Sequence, residues 1–131
     1  MKKLVISGSV SHFNKYLELI NKLKPEYKVI DYPKQIDANS FNELYPEIHK
    51  NFYKNITSAN CFLLFNEDKK GITGYVGAAG FAELSFAIIQ NLNYNKNIDV
   101  FIYKMPDVNV MCYDEIKRWL ELGWIKLWEN K

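Results

Sequence analysis

One carboxylate stands out by its company. Glu83 lies in Phe81-Ala82-Glu83-Leu84-Ser85-Phe86-Ala87, the opening turns of a segment that is otherwise apolar. A carboxylate carried into apolar surroundings is costly unless it is paired or used. Two plain readings stay open. An acid in the first turns of a helix gains about 0.3–1 kcal/mol from the helix dipole, and the position can also fall on an exposed helix edge. The functional reading makes Glu83 a nucleophile or a sugar ligand. Two loops rich in Gly, Ser and Thr stand ready to surround it, Ser7-Gly8-Ser9-Val10-Ser11 and 66–77 (NEDKKGITGYVG). Small residues let backbone N–H groups close on an anion, and a following helix N-terminus adds partial positive charge. The same residues also make tight turns with no ligand at all. Ser7, Gly8 and Ser9 in the first loop, with Asn66, Gly74, Tyr75, Gly77 and Gly80 in and after the second, are the candidate binding positions. Neither loop has the GxGxxG or the Walker spacing, so neither a dinucleotide nor a triphosphate is signalled.

The elements that must position these residues alternate along the chain. Leu4-Val5-Ile6 is a short apolar run that stops at Ser7-Gly8-Ser9, as a buried parallel strand does. Phe13, Tyr16, Leu17, Ile20 and Leu23 recur at helical spacing, and Pro25 closes that helix. A second strand spans 27–32 (YKVIDY) and ends at Pro33. A polar loop leads to a long helix over 41–58, in which Leu44, Ile48, Phe52 and Ile56 form one apolar face and Pro46 marks a candidate break. The third strand, 61–65 (CFLLF), is the most apolar. A buried helix covers 78–90, a fourth strand 98–103, a further helix 113–122 stopped by Gly123, and a short fifth strand 125–128. Strand and helix alternating with short connections imply right-handed crossovers and a parallel sheet covered on both faces. Five strands suggest a flavodoxin-like, doubly wound α/β sheet of order 2-1-3-4-5, with one domain over 1–131. In such a sheet ligands bind beyond the C-terminal strand ends at the switch point, here between strands 1 and 3. The two small-residue loops follow those two strands.

Bulk properties narrow the partners. The 131 residues are 48% hydrophobic and 15% aromatic, enough for a real core and against disorder. Net charge is +2 with the signs interspersed, and Lys22/Lys24 and Lys69/Lys70 are only short basic clusters. A nucleic-acid partner is therefore not expected. The opening apolar stretch ends after three residues, so it is not expected to act as a signal peptide, and no segment nears the ~20 apolar residues a membrane span needs. Cys61 and Cys112 show no CxxC spacing and read as reduced thiols of a cytoplasmic protein, one of them buried. Nothing calls for a metal or an organic cofactor.

Taken in order, these segments resemble the nucleoside 2-deoxyribosyltransferase superfamily, which includes the 2'-deoxynucleoside 5'-monophosphate N-glycosidases. The resemblance rests on Ile6-Ser7-Gly8-Ser9, then Ile48-His49-Lys50 leading to Ala59-Asn60 and strand 61–65, then the Gly-rich loop and Phe81 to Ala87. It spans about nine-tenths of the chain through short motifs. Its helix motif resembles G-Y/T-x-E-L/I-G-x-A, and Glu83, Leu84 and Ala87 match it. The tail Leu127-Trp128-Glu129 is similar to one in the monophosphate hydrolases. The resemblance implies a flavodoxin-like fold and a homo-oligomer with sites near subunit contacts. It implies a nucleoside or nucleotide substrate, with Glu83 as nucleophile and Ser7, Gly8 and Ser9 near the sugar or its 5'-phosphate. A carboxylate would attack C1' as the base leaves, and water or a second base would then take the sugar, as in retaining glycosidases.

Three positions depart from the family pattern. Phe52 stands where an Asp is usual in the helix before strand 3, Asn60 replaces the Asp of Ala-Asp, and Ser85 replaces the Gly after Glu-Leu. A proton for the departing base would then have to come from elsewhere. His49, Glu67 and Asp68 are the candidates, although His49 reads equally as a solvated helix residue and the two acids as exposed turn residues. Tyr75 can stack on a base or simply edge the core. Trp119, Trp124 and Trp128 gather near the C-terminus and read as core or subunit-interface residues. The rival to an enzyme is a noncatalytic nucleotide-binding or sensing module on the same fold, for which the missing Asp speaks. A third reading is a small interaction protein assembled through its aromatic tail.

Overall fold

In the computed structural model of the protein, which describes residues 1–129, the five strand-like runs form one sheet. The strands are β1 (Lys2–Ser7), β2 (Tyr27–Asp31), β3 (Cys61–Leu64), β4 (Asp99–Ile102) and β5 (Lys126–Leu127). The helices are α1 (Phe13–Leu23), α2 (Phe41–Ser58), α3 (Ala78–Tyr94) and α4 (Tyr113–Glu121). Sheet order is β2-β1-β3-β4-β5 and every pairing is parallel, the flavodoxin-like arrangement expected from the sequence.

The two central strands are buried along most of their length, and alternate residues feed two cores. Val5, Phe62, Leu64 and Ile102 point to one face, where Phe52 and Ile56 of α2, Leu84 of α3 and Ile116 of α4 cover them. Leu4, Ile6, Cys61 and Leu63 point to the other, under Tyr16, Leu19 and Leu23 of α1. That face has only one full helix, and Trp128 completes it, its ring against Tyr27 and Phe101. Burying one such large apolar side chain is worth about 1.5–3 kcal/mol, so both faces must be covered for the sheet to form.

Four expectations change. Pro46 does not break α2, which runs unbroken from 41 to 58. The carbonyl it leaves without a donor belongs to Asn42, on an exposed stretch where water can serve it. The apolar face of α2 is buried only in its second half, since Leu44 and Ile48 remain 44% and 38% exposed. The three tryptophans do not cluster. Trp128 belongs to the α1 face, Trp119 stacks on Phe81 on the opposite face, and Trp124 is exposed. The helix expected over 78–90 also continues to Tyr94, where Asn95 closes it in the left-handed conformation. Among the described residues, no helix is long and apolar enough to cross a membrane.

Candidate active site

β1 ends at the site. Its last residue, Ser7, is fully buried, and its hydroxyl donates to Glu83 Oε1 at 2.5 Å. That contact needs α3 close to the strand ends. Gly80 permits it, because a Cβ there would come within 3.2 Å of Leu64 Cδ1 and 4.0 Å of Ser7 Oγ. α3 thus opens on small residues, Ala78-Ala79-Gly80, behind Gly77 as its N-cap. No side chain caps this end, so the first-turn N–H groups remain available to a ligand or to water.

Glu83 is half-buried and carries a carboxyl pushed up to about 7. Burial is the main cause, the Ser7 hydroxyl opposes it, and the Asp31 carboxylate adds to the rise. Asp31 ends β2, is buried, and accepts hydrogen bonds from Asn55 Nδ2 (2.8 Å) and Lys34 Nζ (3.3 Å). Two phenols also feel Glu83. Burial first, and then the nearby Glu83 charge, raise both Tyr16 and Tyr53 above the usual tyrosine value. Tyr53 extends from α2 beside Phe52, which is in the core where the resemblance would put an Asp. The phenol is thus the ionisable group that α2 offers to Glu83. Asp31, Tyr16 and Tyr53 were missed in the sequence. Their spacing from Glu83 carries no signal, because they arrive on β2, α1 and α2. Replacing Ser7 by Ala removes the bond that favours the charged carboxylate. In Ser7→Ala the Glu83 titration should move to higher pH, as followed by carbon-detected NMR of the labelled carboxyl.

The two loops meet over β1 and β3. Ser9 caps the 3-10 turn 10–12, and Lys69 Nζ donates to its hydroxyl at 2.9 Å. Gly8 lies under the Tyr16 hydroxyl and the Phe65 carbonyl, 2.5 and 2.9 Å from where a Cβ would stand. Lys69 also sits 5.3 Å over the Tyr75 ring. Gly8, Ser9, His12, Lys69, Tyr75 and Gly77 help to line a cavity of about 200 Å³. Burial, together with Lys15 and Lys69, lowers the His12 pKa against the opposing pull of Glu67. Ser7 and Glu83 line neither this cavity nor a larger one beyond Tyr75.

The remaining candidates hold the loops. Asn66 is buried, donates to the carbonyls of Lys104 (2.6 Å) and Gly74 (3.3 Å), and accepts from the backbone N–H of Tyr103 (2.9 Å) and Lys104 (3.1 Å). Gly74, with φ +62°, lets the loop touch the next one, since a Cβ would lie 2.7 Å from Pro106 Cα. Its N–H donates to Asp68. Lys104 Nζ bonds both Glu67 (2.7 Å) and Asp68 (3.2 Å). Burial would raise Glu67, but Lys104 and the N–H of Asp68 outweigh it and keep its carboxyl low. The Gly74 N–H and Lys104 keep that of Asp68 low. Held ionised by lysine, neither acid is poised to donate a proton near neutral pH. His49 stands in a ladder of rings along α2, between Tyr45 at 5.1 Å and Tyr53 at 4.8 Å, and Tyr53 in turn feels the Glu83 charge. Asn60 sits at the opposite end of the sheet, where its side chain accepts from Lys3 N–H. Among the described residues, no group of three or more His, Cys, Asp or Glu could hold a metal.

This geometry defines a doubly wound α/β protein with a carboxylate of raised pKa at its switch point. Comparison with known protein families, characterised proteins and solved structures finds no match to the chain.

Proposed function

We propose that the chain is a nucleoside or nucleotide N-glycosidase or deoxyribosyltransferase, a divergent relative of the nucleoside 2-deoxyribosyltransferases. The observation that carries this reading is the Ser7–Glu83 contact, which fixes a half-buried carboxyl of pKa about 7 at the switch point. Deprotonated, Glu83 forms a bond to C1' while the C1'–N bond breaks and its electron pair leaves with the base. The base needs a proton; Tyr53, a phenol that burial and the Glu83 charge hold neutral, is the group of α2 that could hydrogen-bond the departing base, although its raised pKa makes it a weak acid. Water or a second base then takes the sugar from Glu83. Lys69, His12 and the open N-terminus of α3 suit a 5'-phosphate. The free thiols Cys61 and Cys112 fit a cytoplasmic setting.

A homo-oligomer is part of this reading. Phe41, Leu44, Tyr45 and Ile48 of α2 and Ile89 and Leu92 of α3 are exposed apolar residues on neighbouring helices. Sedimentation should find a dimer or larger species, and Ile48→Glu should reduce it to a smaller one. A wild-type monomer would end the claim.

One observation favours the second reading, a nucleotide-binding module without catalysis. The small cavity carrying Lys69 is not lined by Glu83. The deciding experiment incubates the protein with deoxynucleosides and their 5'-monophosphates, with and without an acceptor base, and follows base release by chromatography. Release that vanishes in Glu83→Ala is expected. No release from any substrate, with nucleotide binding by calorimetry that Lys69→Ala weakens, would establish the binding module instead.

A further inference from the structure

Beyond Tyr75, the 66–77 loop, the start of α3 and the segment after β4 flank a second, half-open cavity of about 800 Å³ that Glu83 does not line. That is the size of a small-molecule site. Its walls are Ile72, Tyr75, Val76, Phe81, Val110 and Cys112, and Thr73 and Asn109 add polar groups. The cavity is braced from both sides. Asp107 N–H donates to the Thr73 carbonyl at 2.9 Å, which ties the two walls together. Gly74 seats the loop against Met105 and Pro106, and Asn66 holds the same loop to Lys104. Phe81 is backed by Trp119, nearly parallel at 5.3 Å. A site fixed in this way does not have to be ordered by its ligand, which favours binding.

Its charge is one-sided. The ionisable groups among the lining residues are Asp107, Glu115, the Cys112 thiol and the Tyr75 phenol, with no Lys, Arg or His. Asp107 accepts the N–H of Asn109, and Glu115 pairs at the rim with Arg118, at 2.9 Å and exposed to water. The adjoining small cavity has the opposite character, with Lys69 and His12. The residues Tyr75 to Ala78 separate the two.

We propose that this larger cavity is a second binding site, for a planar aromatic amine carrying a positive charge. The aromatic and aliphatic walls take the ring, and Asp107 and Glu115 face the cation. The site does not depend on the chemistry at Glu83, so Glu83→Gln should bind as wild type does.

Cys112 provides the readout, because it lines the cavity and is half-buried, whereas Cys61 is 1% exposed and serves as an internal reference. The probes share one ring system and differ in charge: tryptamine, 3-methylindole and indole-3-acetate. Methanethiosulfonate labelling of Cys112 is followed by mass spectrometry, with binding measured in parallel by calorimetry. Tryptamine should bind and slow Cys112 labelling, and indole-3-acetate should bind about tenfold more weakly or worse. The double variant Asp107→Asn, Glu115→Gln keeps the hydrogen-bonding shapes and should erase that preference. Equal protection by the amine and the acid, a preference that survives in the double variant, or no protection by any probe at millimolar concentration would overturn the proposal.

Discussion

Glu83→Gln is expected to be more stable than the wild-type protein at pH 8 while losing nearly all base-releasing activity. Burial lifts the Glu83 carboxyl from 4.5 to about 7 in the folded protein. The folded state therefore holds this proton more tightly than the unfolded chain does. Below about pH 4.5 both states are protonated and the group costs nothing. As pH rises through about 7, stability falls, because ionisation is harder in the fold than outside it. The full difference corresponds to roughly 3 kcal/mol, and the partial exposure of Glu83 to water reduces it to about 2 kcal/mol. Gln is neutral at every pH, and its carbonyl oxygen can still accept the Ser7 hydroxyl. Thermal melts of the two proteins should coincide near pH 4 and separate by several degrees at pH 8, with the variant higher. If Glu83 is the nucleophile, wild-type base release should rise with pH through about 7, and the variant should be at least about a thousandfold slower. Melts that stay parallel from pH 4 to 8 would show Glu83 to be an ordinary solvated carboxylate, and the proposed chemistry would fall with it.

The sequence carried the sheet because its signals were local and strong. Leu4 to Ile6 and the run from Cys61 are apolar on both faces, as only central parallel strands are. Gly, Ser and Pro marked where they stop. Pro46 misled because proline removes a donor, yet a carbonyl on an exposed stretch loses little by this. Leu44 and Ile48 misled because helical spacing says which residues share a face, not whether anything covers it. The site was legible at Glu83, whose apolar neighbours gave it away, and at Ser7 and Gly80, whose small size the close approach requires. Asp31 and Tyr53 were not, since they join Glu83 from β2 and α2, far away in the chain. Sequence spacing holds no record of that juxtaposition.

Asn66 shows the same limit from the other side, and its replacement should produce the second large effect. An Asn in a small-residue loop at the switch point reads as a ligand contact. In the fold, both its side-chain atoms are already engaged by the backbone of 74, 103 and 104. Asn66→Ala leaves the Lys104 N–H and the carbonyls of Gly74 and Lys104 without these partners in a largely buried setting. Removing the amide from a satisfied buried network of this kind should cost about 3 kcal/mol. The measurable consequence is a clear drop in the thermal midpoint, with faster amide exchange in the 66–77 loop and at Tyr103 and Lys104. Because Tyr75 and Gly77 hang on that loop, ligand binding at both cavities should weaken together. A residue that only contacts a ligand would behave differently, weakening one ligand with the melting point unchanged. Asn66→Asp separates the two further. It keeps the acceptor for the Tyr103 and Lys104 N–H groups but sets a carboxylate oxygen against the Lys104 carbonyl, so it should be at least as destabilising as Asn66→Ala above neutral pH. A stable Asn66→Asp protein with native amide exchange would show that the loop is held by Gly74 and the Lys104 ion pairs rather than by this amide.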